Sequence, residues 1–256
     1  MAAFICVLLS AFICIPRHSL AAAPDDDPFR YLEDRNDPRT QAFFREQAQA
    51  AEEQLAKLPG RAKMLARVRA LTEAATSATD LKLAGRRVFY LRQGPGPGQP
   101  VLCMRESLQS AERVLLDPSR HDEGPLKAAI DWFSPSPDGR HVAYGVSRGG
   151  SEASELRVLA SDGAKDLSIA IDRAGFNDHL AWHPDGRSFY YARIAAGGAG
   201  ARAYANIRLY RHVIGRNAAA DEVVFAPGVG GARDVPEFAQ PSLQIPLESR
   251  YAYAVV

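Results

Sequence analysis

Ser147 is the residue whose setting could first suggest chemistry. Gly145-Val-Ser147-Arg-Gly149 fits G-x-S-x-G, the strained turn that lifts a nucleophilic serine from a buried strand into reach of oxyanion donors. That turn works only if a helix starts directly behind the serine. Here Gly149-Gly150-Ser151-Glu152-Ala153-Ser154 follows, a loop composition with no amphipathic pattern, so Ser147 reads as a strand end and turn. His179, His183 and His212 come later in the chain, but in strand and turn contexts, and no Ser, Asp, His set assembles. No catalytic residue is assigned.

Other candidates resolve in the same direction. Gly94-Pro-Gly-Pro-Gly-Gln-Pro100 looks like a phosphate cradle, yet its three prolines remove the backbone N–H donors that phosphate needs, and it reads as a hairpin loop. The histidines outside the first residues have no carboxylate cluster beside them, so neither a metal centre nor a cofactor is expected. Cys103 lies in Val101-Leu-Cys-Met-Arg105, a strand pattern that makes it a packed thiol. Trp132 and Trp182 each precede a proline turn, which makes them blade-core residues before ligand platforms.

The elements that would position these residues are strands in a repeat. Ser134-Pro-Ser-Pro-Asp-Gly139 leads into an alternating run in which Val142, Tyr144 and Val146 point one way, a hairpin with the turn chemistry that Pro, Asp and Gly supply. The device returns 47 residues on at Trp182-His-Pro-Asp-Gly186, before Ser188-Phe-Tyr-Tyr-Ala192, and in degraded form at Pro246 to Arg250, before Tyr251 to Val256. A period somewhat over forty with several strands per unit is that of propeller blades. The fold class is therefore mainly β, an incomplete β-propeller of about three blades over residues 77–256.

Ahead of it, Asp37 and Pro38 start a helix with Phe43, Phe44, Ala51, Leu55 and Leu58 on one face, ended by Pro59-Gly60. A second helix carries Met64, Leu65, Val68 and Leu71. Residues 24–76 thus read as a helical extension whose apolar stripe covers another body. Strands follow at Val88 to Leu91, Val101 to Met104 and Arg113 to Pro118, then four in the second blade and four in the third. Tyr251 to Val256 begins a fourth blade, so the chain reads as the front part of a longer protein.

The 256 residues are 46% hydrophobic and 24% charged, a globular composition. With 31 Lys and Arg against 30 Asp and Glu, the charge gives no case for nucleic acid or an anionic membrane as partner. Ala2 to Ile15 is apolar and Ser19-Leu-Ala-Ala-Ala23 supplies small residues for cleavage, so residues 1–23 read as a secretory signal peptide. The run is shorter than the roughly 20 residues that span a bilayer, and no stable membrane anchor is expected. Periplasmic or secreted localisation follows.

Taken in order, several stretches resemble the N-terminal part of the prolyl oligopeptidase family of serine peptidases. They include Asp27-Pro-Phe-Arg-Tyr-Leu-Glu-Asp34, Gly85-Arg-Arg-Val-Phe-Tyr90, Phe133-Ser-Pro-Ser-Pro-Asp-Gly139, Tyr144-Gly-Val-Ser-Arg-Gly-Gly-Ser151, Ala181-Trp-His-Pro-Asp-Gly186 and Leu209-Tyr-Arg-His-Val-Ile-Gly215. The resemblance implies a seven-bladed propeller capping an α/β-hydrolase domain, which admits short peptides and cleaves many of them after proline. It implies that the Ser, Asp and His of that domain have no matching position here. It also implies one lining residue: Phe176, ahead of Ala181-Trp182, resembles an aromatic facing the substrate cavity, though the position equally suits a blade-packing Phe. The alternative reading is a non-enzymatic, propeller-derived binding module that assembles with another chain. The sequence leaves oligomeric state and peptide specificity open.

Overall fold

The computed structural model describes residues 27–96, 98–151, 154–174, 180–196, 204–229, 234–245 and 251–256. The chain divides into two compact units, 1–61 and 62–256. In the first, Asp37 caps helix α1 (Pro38–Ala56), its carboxylate accepting from the Arg39 amide at 2.8 Å, with proline at the first helical position. Thr40 is fully buried and donates to the Tyr31 carbonyl at 2.6 Å, which fixes the short 3-10 turn Arg30–Glu33 against the helix start. Phe44 and Leu55 stay exposed. Helix α2 (Arg61–Glu73), which from Ala62 on belongs to the second unit, keeps Met64, Val68 and Leu71 exposed.

The second unit holds three four-stranded antiparallel blades, each with its strands paired in chain order. Blade 1 is β1 (Ser77–Ala84), β2 (Arg87–Gln93), β3 (Val101–Arg105) and β4 (Arg113–Leu116). Blade 2 is β5 (Ala128–Pro135), β6 (His141–Arg148), β7 (Glu155–Ala160) and β8 (Lys165–Ile171). Blade 3 is β9 (Ala181–Trp182), β10 (Ser188–Arg193), β11 (Arg208–Val213) and β12 (Glu222–Phe225). A two-stranded sheet of β13 (Ser242–Gln244) and β14 (Tyr253–Val255) follows. Blades 2 and 3 match the strands read from the sequence; β1 and β13 are additional. Residues 246–250, the degraded turn copy, and the proposed leader lie outside the described residues.

Period-2 alternation on β6 is what lets one strand serve two interfaces. Val142, Tyr144 and Val146 face Phe89, Leu102 and Met104 of blade 1, while Ala143 faces Trp182 and Phe189 of blade 3. Leu209, Phe225 and Leu243 form a further layer behind blade 3, and Val88, Tyr90 and Cys103 a smaller cluster in blade 1.

The turns joining the first two strands of each blade nest against each other. In blade 2, the Gly139 amide donates to the Ser136 carbonyl at 2.8 Å, and Asp138 accepts from the Ser136 hydroxyl at 2.6 Å and the Arg140 amide at 3.1 Å. Blade 3 repeats it, Gly186 N–H to His183 carbonyl at 2.9 Å and Arg187 N–H to Asp185 at 2.8 Å. Blade 1 uses the two-residue turn Gly85-Arg86, both at positive φ (54° and 74°). A Cβ on Gly85 would lie 2.0 Å from the Asp138 carbonyl oxygen, and one on Gly139 would lie 2.6 Å from that of Ala84.

Two outcomes are expected. Gly85→Ala meets rigid backbone at a positive φ, so it should cost about 2 kcal/mol or more by overpacking and strain, read as a lowered thermal midpoint, whereas Gly98→Ala, with no atom within 4 Å of its Cβ, should leave the midpoint unchanged. The Asp138 carboxyl is pushed up by burial, but the Ser136 hydroxyl and Arg140 amide outweigh this and hold it below its ordinary value of 3.8. A depressed carboxyl stabilises the fold above that ordinary value and loses the contribution as pH falls through the folded one. Asp138→Asn should therefore narrow the stability difference between pH 7 and pH 3 in paired melts.

Candidate functional site

The first strands of successive blades lie side by side. Lys82 on β1 donates to the Phe133 carbonyl of β5 at 2.6 Å and sits 4.7 Å from the Phe133 ring centroid, and the Trp182 indole of β9 donates to the Ser134 carbonyl at 3.1 Å. These contacts tie β1 to β5 and β9 to β5 across the two blade seams.

Asp131 is an exposed polar residue of β5. Ile130 pairs with Val146 and Trp132 with Gly145, so Asp131 is an extra residue, a β-bulge. Its side chain is exposed, yet both oxygens are held from behind: Ser147 Oγ donates to Oδ1 at 2.8 Å and Ser154 Oγ to Oδ2 at 2.5 Å. Both serines are 4% exposed. Trp132 packs flat over Gly145, where a Cβ would lie 2.2 Å from its Nε1.

Ser147 thus sits at the end of a strand, followed by Gly149 and Gly150 at positive φ, and spends its proton on a carboxylate. Cys103 is fully buried, and burial pushes its thiol above the ordinary range despite the Arg92 guanidinium beside it. Trp132 and Trp182 both belong to the layer between blades 2 and 3. Phe176 lies outside the described residues.

The histidine reading passes over one spacing, His179 to His183, four apart as in a metal-binding helix. His183 instead occupies the blade 3 turn and pairs with Asp185 at 3.0 Å, and His179 lies outside the described residues. Among the described residues no group of three or more His, Cys, Asp or Glu is placed to hold a metal.

A second constellation, unforeseen from sequence, is His212 with Asp221 and Tyr191. Asp221 approaches His212 Nδ1 at 2.9 and 3.0 Å and accepts from the Tyr191 hydroxyl at 2.9 Å. Burial and the Asp221 carboxylate push the Tyr191 hydroxyl far up. His212 is fully buried with its ring 5.1 Å from Phe189, so this acid–base pair has no substrate access and is a polar clasp between β10, β11 and the start of β12.

Two clefts lie among the described residues. An open one of about 560 Å³ is lined by Gln99, Asp117, Ser119, Asp122 and Lys127; there Asp117 caps the Ser119 amide, and Asp122 takes Lys127 and the Ala128 amide. A shallower one of about 350 Å³ lies over β1 and β2. In it Glu112 accepts from the Tyr90 hydroxyl at 2.6 Å and pairs with Arg92 at 2.8 Å. Both clefts use their charges internally.

With this geometry in place, comparison with known proteins is informative. The family model described as the prolyl oligopeptidase N-terminal β-propeller domain matches residues 19–228. The chain is 24% identical over 201 residues to a prolyl endopeptidase of Elizabethkingia meningoseptica and 25% identical over 201 residues to that of Elizabethkingia miricola, in each case over 77% of this chain. It spans 28% of the length of those two relatives. Among solved structures, a prolyl endopeptidase studied for inter-domain dynamics superposes with TM-score 0.68 at 26% identity, covering 78% of this chain and 30% of the other. Prolyl oligopeptidase B from Galerina marginata, at 22% identity and TM-score 0.65, shares the fold.

Removing one partner from a buried polar pair leaves the other without compensation. Asp221→Ala should destabilise the protein by about 3 kcal/mol, while Tyr191→Phe, which deletes one hydroxyl, should cost about 1 kcal/mol; chemical denaturation of the two variants gives the ratio.

Proposed function

We infer the function from kinship, because the chain belongs to the family of the prolyl oligopeptidase N-terminal β-propeller domain. We propose that it is the substrate-gating propeller of a prolyl-oligopeptidase-type serine endopeptidase acting on short peptides. The observation that carries this is the match of 210 consecutive residues, 19–228, to that domain, on a structure with the same blade architecture.

Gating follows from how the blades are joined. Between blades 1 and 2 the turns meet backbone to backbone, so no side-chain rotation parts this seam, which suits a gate that passes extended chains. The proposal assigns the nucleophile, its base and the oxyanion donors to an α/β-hydrolase domain outside these 256 residues. Peptide hydrolysis needs those three groups held together. Ser147, hydrogen-bonded to Asp131, is placed to position a carboxylate rather than to attack. Such a reaction needs no metal or cofactor. The apolar Ala2 to Ile15 and the small residues Ser19 to Ala23 support export to the periplasm or exterior, with cleavage after Ala21 or Ala22.

The test is to purify the native protein from its source with an antibody against residues 25–58, then measure its intact mass and its peptidase activity. A mass well above 27.8 kDa, cleavage of a proline-containing pentapeptide after proline, and no cleavage of a folded protein of the same composition are expected. A mass near 27.8 kDa without peptide cleavage would remove the peptidase reading in favour of a binding module.

A further inference from the structure

We propose that the end of the blades formed by their hairpin turns is a cationic docking surface for an extended acidic segment of a partner protein, held by Arg86, Arg140 and Arg187. The proposal goes beyond the peptidase reading and does not depend on it.

Three observations carry it. First, each blade puts an arginine directly after its turn glycine, as Gly85-Arg86, Gly139-Arg140 and Gly186-Arg187, and all three arginines are exposed. Second, the three turns touch, so the arginines share one surface. A Cβ on Gly85 would meet the Asp138 carbonyl, and one on Gly186 would lie 3.0 Å from the Asp138 carboxylate. The later turns of blades 2 and 3 come to the same end, because the Ser161 amide donates to the Arg140 carbonyl at 2.8 Å and the Ile214 amide to that of Arg187 at 2.9 Å. They add the exposed Lys165 and Arg216.

Third, the carboxylates of these turns are engaged locally and most of the cations are not. Glu106 and Asp162 both pair with Arg87, and Glu112 pairs with Arg92. Asp221 is enclosed with His212 and Tyr191. Asp138 caps its own turn and lies 3.8 Å from Arg140 Nε, while Asp185 caps the next turn and meets His183 Nδ1 at 3.0 Å. Among the described residues, Arg86, Lys165, Arg187 and Arg216 have no ion-pair partner. A chain with a formal net charge of only +1 therefore gathers uncompensated positive charge at one end of its blades.

A guanidinium offers five N–H donors in a planar fork that takes a carboxylate two bonds at a time. Because the arginines stand one blade apart, the ligand must be an extended chain with its acidic residues spaced out; a compact acid would reach one of them only. Pro137 and Pro184 are exposed beside Arg140 and Arg187 and give the intervening residues an apolar surface. A nucleic acid suits the surface less well, since its unbroken line of phosphates would run over Asp138 and Asp185 between the cations.

The experiment uses the full chain and calorimetric titration with an N-acetylated, C-amidated peptide carrying Glu at every third position between Ala and Pro, beside the same peptide with Gln for Glu. The Glu form should bind more tightly by on the order of tenfold at low salt, the sum of several exposed ion pairs. Raising the salt should shrink the preference. Arg86→Asn, Arg140→Gln and Arg187→Gln combined should abolish it, with the melting midpoint reporting that the fold is intact; Asn is chosen at position 86 because it tolerates the positive φ there. Removing the same charge from the helices, by Arg45→Gln, Arg67→Gln and Arg69→Gln, should leave the preference in place.

Equal binding of the Glu and Gln forms overturns the proposal. So does a preference that survives the turn substitutions, or one that the helix substitutions reduce as much. Duplex DNA that binds more tightly than the Glu peptide, and loses its binding with the turn arginines, overturns the assignment to a protein segment. Should the combined variant unfold, Arg140→Gln and Arg187→Gln alone decide, each expected to weaken the Glu form about twofold to threefold and the Gln form not at all. None of these outcomes bears on the peptidase reading.

Discussion

The close approach of turn to turn between neighbouring blades is the constraint on which the rest of this structure depends. Gly85 and Gly139 each bring a bare Cα against the carbonyl of the other's turn, and Gly186 does the same against the Asp138 carboxylate, where a Cβ would lie 3.0 Å from Oδ1. Contact at this distance sets the spacing and register of the strands that leave each turn. With that register set, Lys82 reaches the Phe133 carbonyl and Trp182 reaches that of Ser134. Arg87 then ties three turns at once, donating to the Gly139 carbonyl and pairing with Glu106 and Asp162. The aromatic layers fill the wedge that remains, as where Trp182 meets Phe189 edge to face with centroids 5.1 Å apart.

Sequence legibility followed from how much of each element's physics is local. The turns of blades 2 and 3 are legible because proline, aspartate and glycine each have a backbone reason to be there. The corresponding turn of blade 1, Gly85-Arg86, is not, since its conformation depends on the hairpin closing around it. Strand β1 was also hidden: Asp80 has φ 51°, the register with β2 shifts between Thr79 and Lys82, and most of the strand is exposed, so no period-2 signal survives. Strand β13 is three residues long, too short to carry a pattern. The helices were readable from the Asp37-Pro38 cap and the Pro59-Gly60 stop, both local devices.

The site was less legible than the fold, for a related reason. Ser147 stands out by motif, and the absence of a helical pattern behind it points correctly to a strand end. What its hydroxyl does depends on Asp131, sixteen residues earlier, and on a bulge that shifts pairing by one residue. Without the bulge, alternation would place Asp131 differently against β6, and no composition rule reveals where a ladder slips. The set of His212, Asp221 and Tyr191 is hidden likewise, because three strands must pair before its members meet.

These two polar constellations show what burial decides. His212, Asp221 and Tyr191 answer one another inside a layer shared with Phe189, where an uncompensated charge would be costly, so the group is consumed in holding β10 to β12. Asp131 has its donors buried and its carboxylate exposed, the reverse arrangement. Hydroxyls orient a charge without cancelling it, whereas the guanidinium that meets Asp172 both orients and cancels. Two buried serines hold the Asp131 carboxylate at the bulge, whereas the buried set holds three strands of blade 3 to one another.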